Sequence, residues 1–216
     1  DVLALPVYCG RKSEKEKFAG AQATYSMEAM MHDGKALQAG TSHFFGTNFA
    51  EAYGIQFLSK EGKLEYAQET SWGVSTRLIG AIIMTHGDDR GLRLPPQVAP
   101  IQVVVLPIAA HKPGVLEGAK VIADRLTAAG VRVKFDDRDT VSPGWKFNEW
   151  ELKGVPVRLE VGPRDLKNNQ VMVARRDTFE KFALPMDGLE GEIEALLASI
   201  QKTMFEQARD FRDEHT

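Results

Sequence analysis

A polar segment that ends in an arginine precedes an apolar stretch and has the residues to bind an anion. Residues 70–77 are Thr-Ser-Trp-Gly-Val-Ser-Thr-Arg, and the apolar stretch follows at residues 78–84. The pattern predicts a strand that brings Arg77 to the start of a helix. Amides at a helix N-terminus favour negative charge, and a guanidinium adds a planar cationic fork that suits phosphate oxygens. Taken alone, Arg77 could instead form an ion pair with Glu69 or Asp88.

A second segment, residues 37–46, brings a hydroxyl and an imidazole onto one predicted strand. Side chains alternate between the two faces of a strand, so Thr41 and His43 should share a face, with Gln38 close by. The two groups could line one binding pocket. Taken alone, a histidine such as His43 is more often a hydrogen-bonded core residue, and Ser42 lacks the G-x-S-x-G motif of a hydrolase nucleophile.

Together with residues 10–20 and 142–154, these two segments resemble the class II prolyl-tRNA synthetases, in the form shared by archaea, eukaryotes and some bacteria. The resemblance covers nearly the whole chain. It implies that ATP, with Mg²⁺, activates L-proline to prolyl-adenylate, and that the prolyl group is then transferred to tRNA(Pro). It also implies that Arg77 is the motif 3 arginine that contacts the nucleotide phosphates. Gln38 and Thr41 then contact the nucleotide, and His43 lines the proline pocket.

A pocket for proline should offer aromatic surfaces and few polar groups, because the proline ring is small and apolar. Trp72, Phe44 and Ser75 are the candidates for its walls. Each could instead pack in the core, and for Phe44 the two interpretations are equally favoured.

RNA recognition is expected in the C-terminal half. Phe147 and Glu151 lie one turn apart on a predicted helix, and Arg158 lies on the strand that follows. The resemblance implies that these positions read the two guanines of the proline anticodon, by stacking and by polar contacts to base edges. Packing of Phe147 onto the sheet is the structural alternative. Further predictions are that Trp145 and Trp150 lie mainly in the core, and that phosphate contacts could come from Lys146, Arg164, Lys167, Arg175 and Arg176.

The predicted fold class is α/β (α+β), with two domains. Residues 1–99 should form the C-terminal part of a class II catalytic domain, an antiparallel sheet with helices packed against it. Its predicted elements are a helix at 14–31, a strand at 35–44, a short helix at 48–53, a hairpin at 55–67 and a strand at 70–76.

Residues 100–216 should form the anticodon-binding domain, with a mixed sheet. The nearly continuous β-branched segment 101–107 is typical of a strand buried on both faces. A βαβ unit is predicted from this strand, a helix at 115–129 and a strand at 131–136. A helix at 144–153, strands at 155–161 and 170–175, and a long helix at 189–211 follow.

Composition excludes several classes of binding partner and site. A net charge of −3 argues against indiscriminate nucleic-acid binding, and DNA is not an expected partner. The single cysteine, Cys9, can form neither an internal disulfide nor a zinc site, and we expect it to be buried or half-buried. We predict no metal site. No apolar run is long enough to cross a membrane, so a cytoplasmic protein is expected.

Only motif 3 of the three class II motifs has a counterpart in this sequence. The resemblance therefore implies a fragment that lacks motifs 1 and 2, cannot form prolyl-adenylate alone, and derives from a homodimeric enzyme. A non-catalytic RNA-binding module is the alternative from another functional class. A synthetase for threonine, histidine or glycine is a third possibility, although threonine would ordinarily require zinc ligands.

Overall fold

The computed structural model describes all 216 residues and divides them into two compact units. One unit contains residues 6–85, and the other contains residues 1–5 and 86–216. Strands and helices are mixed in both, as expected for the α/β (α+β) class. None of the helices has both the length and the apolar character that crossing a membrane requires.

Residues 6–85 form an antiparallel sheet of four strands in the order β1-β2-β3-β6. The predicted short helix, the hairpin and the helix that begins at Arg77 are all present. The elements are β1 (Val7–Arg11), β2 (Ala23–Met30), β3 (Ala36–Gly46), α1 (Asn48–Tyr53), β4 (Gln56–Leu58), β5 (Leu64–Tyr66), β6 (Glu69–Gly73) and α2 (Arg77–His86).

The prediction of a helix at residues 14–31 is wrong. Turns occupy residues 14–20, and β2 begins at Ala23. In β2 the buried side chains include Thr24 and Ser26, whereas Tyr25 and Met27 are exposed. Apolar and polar residues alternate over residues 23–29 with the period of a strand, but the alternation is inverted around Thr24 and Ser26, where the polar residues are the buried ones.

A β-bulge in β3 decides which side chains share a face. Met27 pairs with Gly40, and the next residue of β2, Glu28, pairs with Gln38, so Ala39 is an extra residue in β3. An extra residue reverses the alternation beyond it. As a result, Gln38 lies on the same face as Thr41, and a regular strand would have placed it on the opposite face.

The larger unit is built on a five-stranded mixed sheet in the order β11-β10-β9-β7-β8. Strand β7 runs parallel to β8 and β9, and the pairs β9–β10 and β10–β11 are antiparallel. The elements are β7 (Val103–Pro107), α3 (Val115–Ala128), β8 (Val133–Phe135), α4 (Pro143–Leu152), β9 (Val157–Val161), α5 (Pro163–Lys167), β10 (Gln170–Arg175), β11 (Lys181–Pro185) and α6 (Leu189–Glu214).

Strand β7, which lies between β9 and β8, is buried at every position, as its β-branched sequence predicts. Side chains from α3, α6 and the sheet form one core on one side, and Trp150 of α4 belongs to a smaller cluster with Val104, Leu106 and Val155. The predicted βαβ unit is confirmed. Helix α5 and strand β11 were not predicted.

Candidate functional sites

The smaller unit contains a cleft of about 340 Å³ at the strand ends of β3 and β6. Six of the seven residues predicted for the ATP and proline sites line it, and Phe44 does not. The six are Gln38, Thr41, His43, Trp72, Ser75 and Arg77. The bulge in β3 makes this convergence possible because it brings Gln38 onto the face of Thr41 and His43.

The imidazole of His43 is held from both its edge and its faces. The Thr24 hydroxyl lies 3.0 Å from Nδ1, so a hydrogen bond fixes the orientation of the ring. The Phe18 ring is tilted against the imidazole at a centroid distance of 5.1 Å, and Phe45 stacks on it at 5.9 Å. His43 therefore lies in a partly aromatic wall that leaves Nε2 as its remaining polar atom.

The polar residues beside His43 also have fixed partners. Lys12 donates a hydrogen bond of 2.7 Å from Nζ to the Gln38 side-chain carbonyl, which leaves the Gln38 amide group as a free donor. Ser26, opposite Thr41 in the neighbouring strand, donates to Glu28 at 2.9 Å. In the cleft lining, Gln38 therefore has a fixed orientation, and Thr41 lies beside an ordered hydroxyl group.

Arg77 is the first residue of α2, and its side chain is exposed. Its backbone amide donates to the Ser75 hydroxyl at 3.3 Å, and its guanidinium forms no ion pair. The alternative of an ion pair with Glu69 or Asp88 is not realised. Asp88 is instead bound by Arg176, whose hydrogen bonds lower the pKa of that carboxyl group. A cationic group at a helix start with no anionic partner is suited to bind an anionic ligand.

Trp72 and Phe44 lie differently from His43. In an antiparallel sheet, directly opposed residues share a face. Trp72 opposes Ser42, and Phe44 opposes Thr70, so both side chains lie on the face away from His43. Trp72 still contributes to the rim of the cleft and is 80% exposed, whereas Phe44 does not line the cleft. Phe18, which the sequence reasoning did not select, takes the place beside His43.

The predicted anticodon residues form one connected cluster in the larger unit. The Arg158 guanidinium lies 4.2 Å from the centre of the Phe147 ring and donates a hydrogen bond of 3.0 Å from Nη1 to Glu151. Its Nε atom donates to Glu160 at 3.2 Å. The cluster therefore presents an aromatic ring, a carboxylate and a guanidinium at the junction of α4 and β9.

A buried carboxylate anchors the helix that carries this cluster. Asp136 is 2% exposed; it accepts hydrogen bonds from Arg138 and from the Trp150 indole at 2.8 Å, and its backbone carbonyl accepts from Lys146 at 3.1 Å. Burial raises the pKa of Asp136, but these hydrogen bonds and the Lys146 charge outweigh it and hold the pKa well below its ordinary value. Ser142 caps the other end of the helix by accepting from Trp145.

Three of the five proposed phosphate ligands already have protein partners. Lys146 is buried and bound to Asp136, Arg176 is buried and bound to Asp88, and Arg175 forms a bidentate pair with Asp177. Arg164 and Lys167 on α5 remain exposed. The core assignment holds for Trp150, which is 6% exposed, but Trp145 is 48% exposed and lies under the Arg138 guanidinium.

The exposure of Cys9 and the arrangement of possible metal ligands can be read directly from the structure. Cys9 is exposed, so the expectation of a buried thiol is wrong. It lies at an edge strand whose outward face is open, opposite the exposed Met27. The structure contains no group of three or more His, Cys, Asp or Glu side chains arranged to hold a metal ion.

Comparison with known proteins gives matches to both units. A family model described as an anticodon binding domain matches residues 102–196. A proline-tRNA ligase from Clostridium novyi (strain NT) is 61% identical over all 216 residues, and one from Alkaliphilus oremlandii (strain OhILAs) is 59% identical. Both matches cover 100% of this chain and 45% of the relative, so the chain spans less than half the length of these curated relatives.

A solved structure agrees in fold and in sequence. The crystal structure of prolyl-tRNA synthetase from Cryptosporidium parvum, complexed with L-proline and AMP, superposes with a TM-score of 0.89 at 47% identity. The match covers 99% of this chain and 46% of that one. The chain is therefore homologous along its whole length to the proline-tRNA ligases, a family of aminoacyl-tRNA synthetases, and it carries their anticodon-binding domain.

Proposed function

We propose that this chain provides part of the aminoacylation site and the anticodon-reading surface of a proline-tRNA ligase. The reaction is the ATP-dependent activation of L-proline to prolyl-adenylate, followed by transfer to tRNA(Pro). The observation that carries the proposal is the convergence of Gln38, Thr41, His43 and Arg77 on one cleft, in a chain whose relative binds proline and AMP. Residues 1–99 would belong to the catalytic domain and residues 100–216 to the anticodon-binding domain.

In the cleft, the chemistry requires positioning and charge stabilisation rather than a side-chain nucleophile. The proline carboxylate attacks the α-phosphorus of ATP, and pyrophosphate leaves. Arg77 would hold nucleotide phosphate oxygens, with no competing carboxylate to be displaced first. Gln38 and Thr41 would contact the nucleotide, with Gln38 oriented by Lys12.

The proline ring would pack beside His43, whose orientation Thr24 fixes. Phe18 supplies the aromatic surface there, with Ser75 at the cleft edge. Trp72 would close the rim, and Phe44 would support the sheet from its other face.

In the larger unit, Phe147, Glu151 and Arg158 would read the anticodon of tRNA(Pro). Guanine offers N1–H and N2–H₂ donors on its Watson–Crick edge, which a carboxylate such as that of Glu151 accepts. It also offers the O6 and N7 acceptors, which a guanidinium such as that of Arg158 recognises. The existing Glu151–Arg158 hydrogen bond keeps both groups in place before RNA arrives.

Other features of the proposal concern the complete enzyme. Mg²⁺ would arrive bound to ATP, as the complex that serves as the substrate. The matched relatives are more than twice as long, so the full reaction is proposed for a protein of their length, acting as a homodimer in the cytoplasm. The 216 residues alone, without counterparts of motifs 1 and 2, should give no proline-dependent ATP–pyrophosphate exchange above background.

Binding of tRNA(Pro) to the 216-residue chain tests the RNA half of the proposal. We expect the chain to bind tRNA(Pro) more tightly than the same tRNA with both anticodon guanines changed to adenine. Glu151→Gln should reduce this preference, and Glu117→Gln, an exposed substitution on α3, should leave it unchanged. Equal affinity for the two tRNAs would contradict anticodon reading by this chain.

A further inference from the structure

Phe179 adopts a backbone conformation that phenylalanine rarely takes. It lies in the five-residue loop 176–180 between β10 and β11, with φ +61° and a side chain that is 43% exposed. A bulky residue in the left-handed region is strained, and glycine would fit the same turn without strain. The ring is thus placed at the surface at a conformational cost, which points to a role beyond packing.

Arg90 covers the Phe179 ring. Its guanidinium carbon lies 4.3 Å from the ring centre, and the Arg90 side chain is 60% exposed. The guanidinium carbon of the buried Arg176 lies 5.2 Å from the centre of the same ring. The outer plane of the Arg90 guanidinium therefore stays open, with an aromatic ring behind it.

A tight turn fixes the position of Arg90. Asp88 and Gly91 exchange backbone hydrogen bonds of 3.1 and 3.0 Å, and the Arg90 amide donates to the Asp88 carboxylate at 2.9 Å. Gly91 has φ +122°, and a Cβ atom there would lie 2.7 Å from the Leu152 backbone. Only glycine lets the turn pack this closely onto the end of α4, next to Glu151.

The Arg90–Phe179 pair is continuous with the proposed anticodon surface. Arg90 lies 3.8 Å from one carboxylate oxygen of Glu151, and Arg158 lies 3.0 Å from the other. Glu151 is thus flanked by two stacks of an arginine on a phenylalanine, since Arg158 covers Phe147 in the same way. An open groove of about 560 Å³ runs beside Arg90, lined also by Asn148, Glu151 and Leu152.

This inference rests on the proposed tRNA-binding function and extends its site. We propose that Arg90, backed by Phe179, is an additional stacking site for one unpaired base of the anticodon loop, next to the guanines at Glu151 and Arg158. Unpaired RNA bases stack on guanidinium planes, and an aromatic ring behind the guanidinium preorganises it. Arg90 contacts the base, and Phe179 is a positioning residue.

Fluorescence anisotropy with the 216-residue chain and labelled anticodon stem-loops of tRNA(Pro) tests this site. Arg90→Lys keeps the charge but removes the plane, and it should weaken binding about tenfold, in the range of one lost stacking contact. The salt dependence of binding should not change, because the number of cations is the same. The matched control is Arg209→Lys, an exposed arginine on α6, which should bind like the wild type.

Stem-loops that each lack one loop base identify the nucleotide. Removal of one loop base other than the two guanines should weaken binding to the wild type. Removal of the same base should cause no further loss of affinity in the Arg90→Lys variant. Phe179→Gly should also weaken binding, while its unfolding midpoint stays equal or rises because the strain is relieved. Wild-type affinity of both variants, or identical effects of base removal in the wild type and Arg90→Lys, would overturn the proposal. If the guanine preference itself were absent, the proposed function would fail as well, and the two failures are therefore distinguishable.

Discussion

Removal of the Asp136 carboxylate should destabilise the larger unit and displace α4, the helix that carries two of the proposed anticodon-binding residues. Asp136→Ala leaves the Trp150 indole and the 5% exposed Lys146 without their carboxylate partner. Breaking a buried ion pair on one side costs about 3–5 kcal/mol. We expect a loss near the lower end, about 3 kcal/mol, because Arg138 is 40% exposed and keeps Glu149, and Lys146 keeps a backbone carbonyl.

Urea unfolding of the 216-residue chain, followed by circular dichroism, measures this loss. Asp137→Ala is the matched control, because Asp137 is exposed and its removal should change the free energy of unfolding by less than about 0.5 kcal/mol. Asp136→Ala should also weaken binding of tRNA(Pro), since Phe147 and Glu151 lie on the helix that Asp136 anchors. Equal unfolding free energies for the two variants would refute the reasoning.

The pH dependence gives an independent check with a definite sign. The pKa of Asp136 is lowered in the folded protein, so its charge contributes stability at pH values above the ordinary aspartate pKa of about 3.9. That contribution is lost as the pH falls below this value toward the lowered pKa. The stability difference between the wild type and Asp136→Asn should therefore be constant from pH 7 to 5 and shrink below about pH 4. A difference that grew on acidification would contradict the assignment.

Three further predictions concern single positions. Gly91→Ala should lower the free energy of unfolding by more than about 2 kcal/mol, because Gly91 has a positive φ and a Cβ atom there would lie 2.7 Å from the Leu152 backbone. The control is Gly144→Ala in α4, where the added methyl group contacts no other atom. This variant should be as stable as the wild type or more stable in the same urea titration. Thr24→Val should lower the free energy of unfolding of the smaller unit by about 1 kcal/mol, because the hydrogen bond to His43 is lost. Equal unfolding free energies for the wild type and the variant in the same urea titration would show that this hydrogen bond does not stabilise the unit. Cys9 should react with a thiol reagent in the folded protein about as fast as in urea, and protection that disappears only on unfolding would show that it is covered.

The sequence predicted best those elements whose burial follows apolar periodicity. Strand β7, with five β-branched or apolar residues buried in succession, and α3, which ends just before Gly130, lie close to where the pattern placed them. The end of α1 was also predicted from the sequence, since Gly54 adopts the left-handed conformation that terminates a helix. In these segments, local propensity and tertiary burial favour the same structure.

Strand β2 was missed although its sequence carries a strand pattern. Apolar and polar residues alternate over residues 23–29, but the buried Thr24 and Ser26 are polar, and Tyr25 between them is exposed, which reverses the usual arrangement of a strand. The prediction of a helix followed the helical propensity of the Ala, Met and Glu residues instead. The bulge at Ala39, which gathers the cleft residues, leaves no periodic signal.

Family resemblance selected several cleft residues that spacing alone left open, but it could not reveal their partners. Contacts such as Thr24 with His43 or Arg90 with Glu151 join segments far apart in the chain, and only the fold brings them together. The same holds for Lys146 and Arg176. Their charge suggested a surface role, yet both are buried against carboxylates that the sequence gives no reason to pair with them.

Amino-acid-dependent ATP–pyrophosphate exchange measures the proposed activation of proline itself. The assay requires a protein of the length of the matched relatives that contains these 216 residues, compared with its Arg77→Ala variant. We expect exchange driven by proline, and a loss of about 10²-fold or more in the variant, because one oriented cationic contact to the reacting phosphates is removed. Exchange driven by threonine, histidine or glycine instead of proline, or full activity of Arg77→Ala, would contradict this expectation.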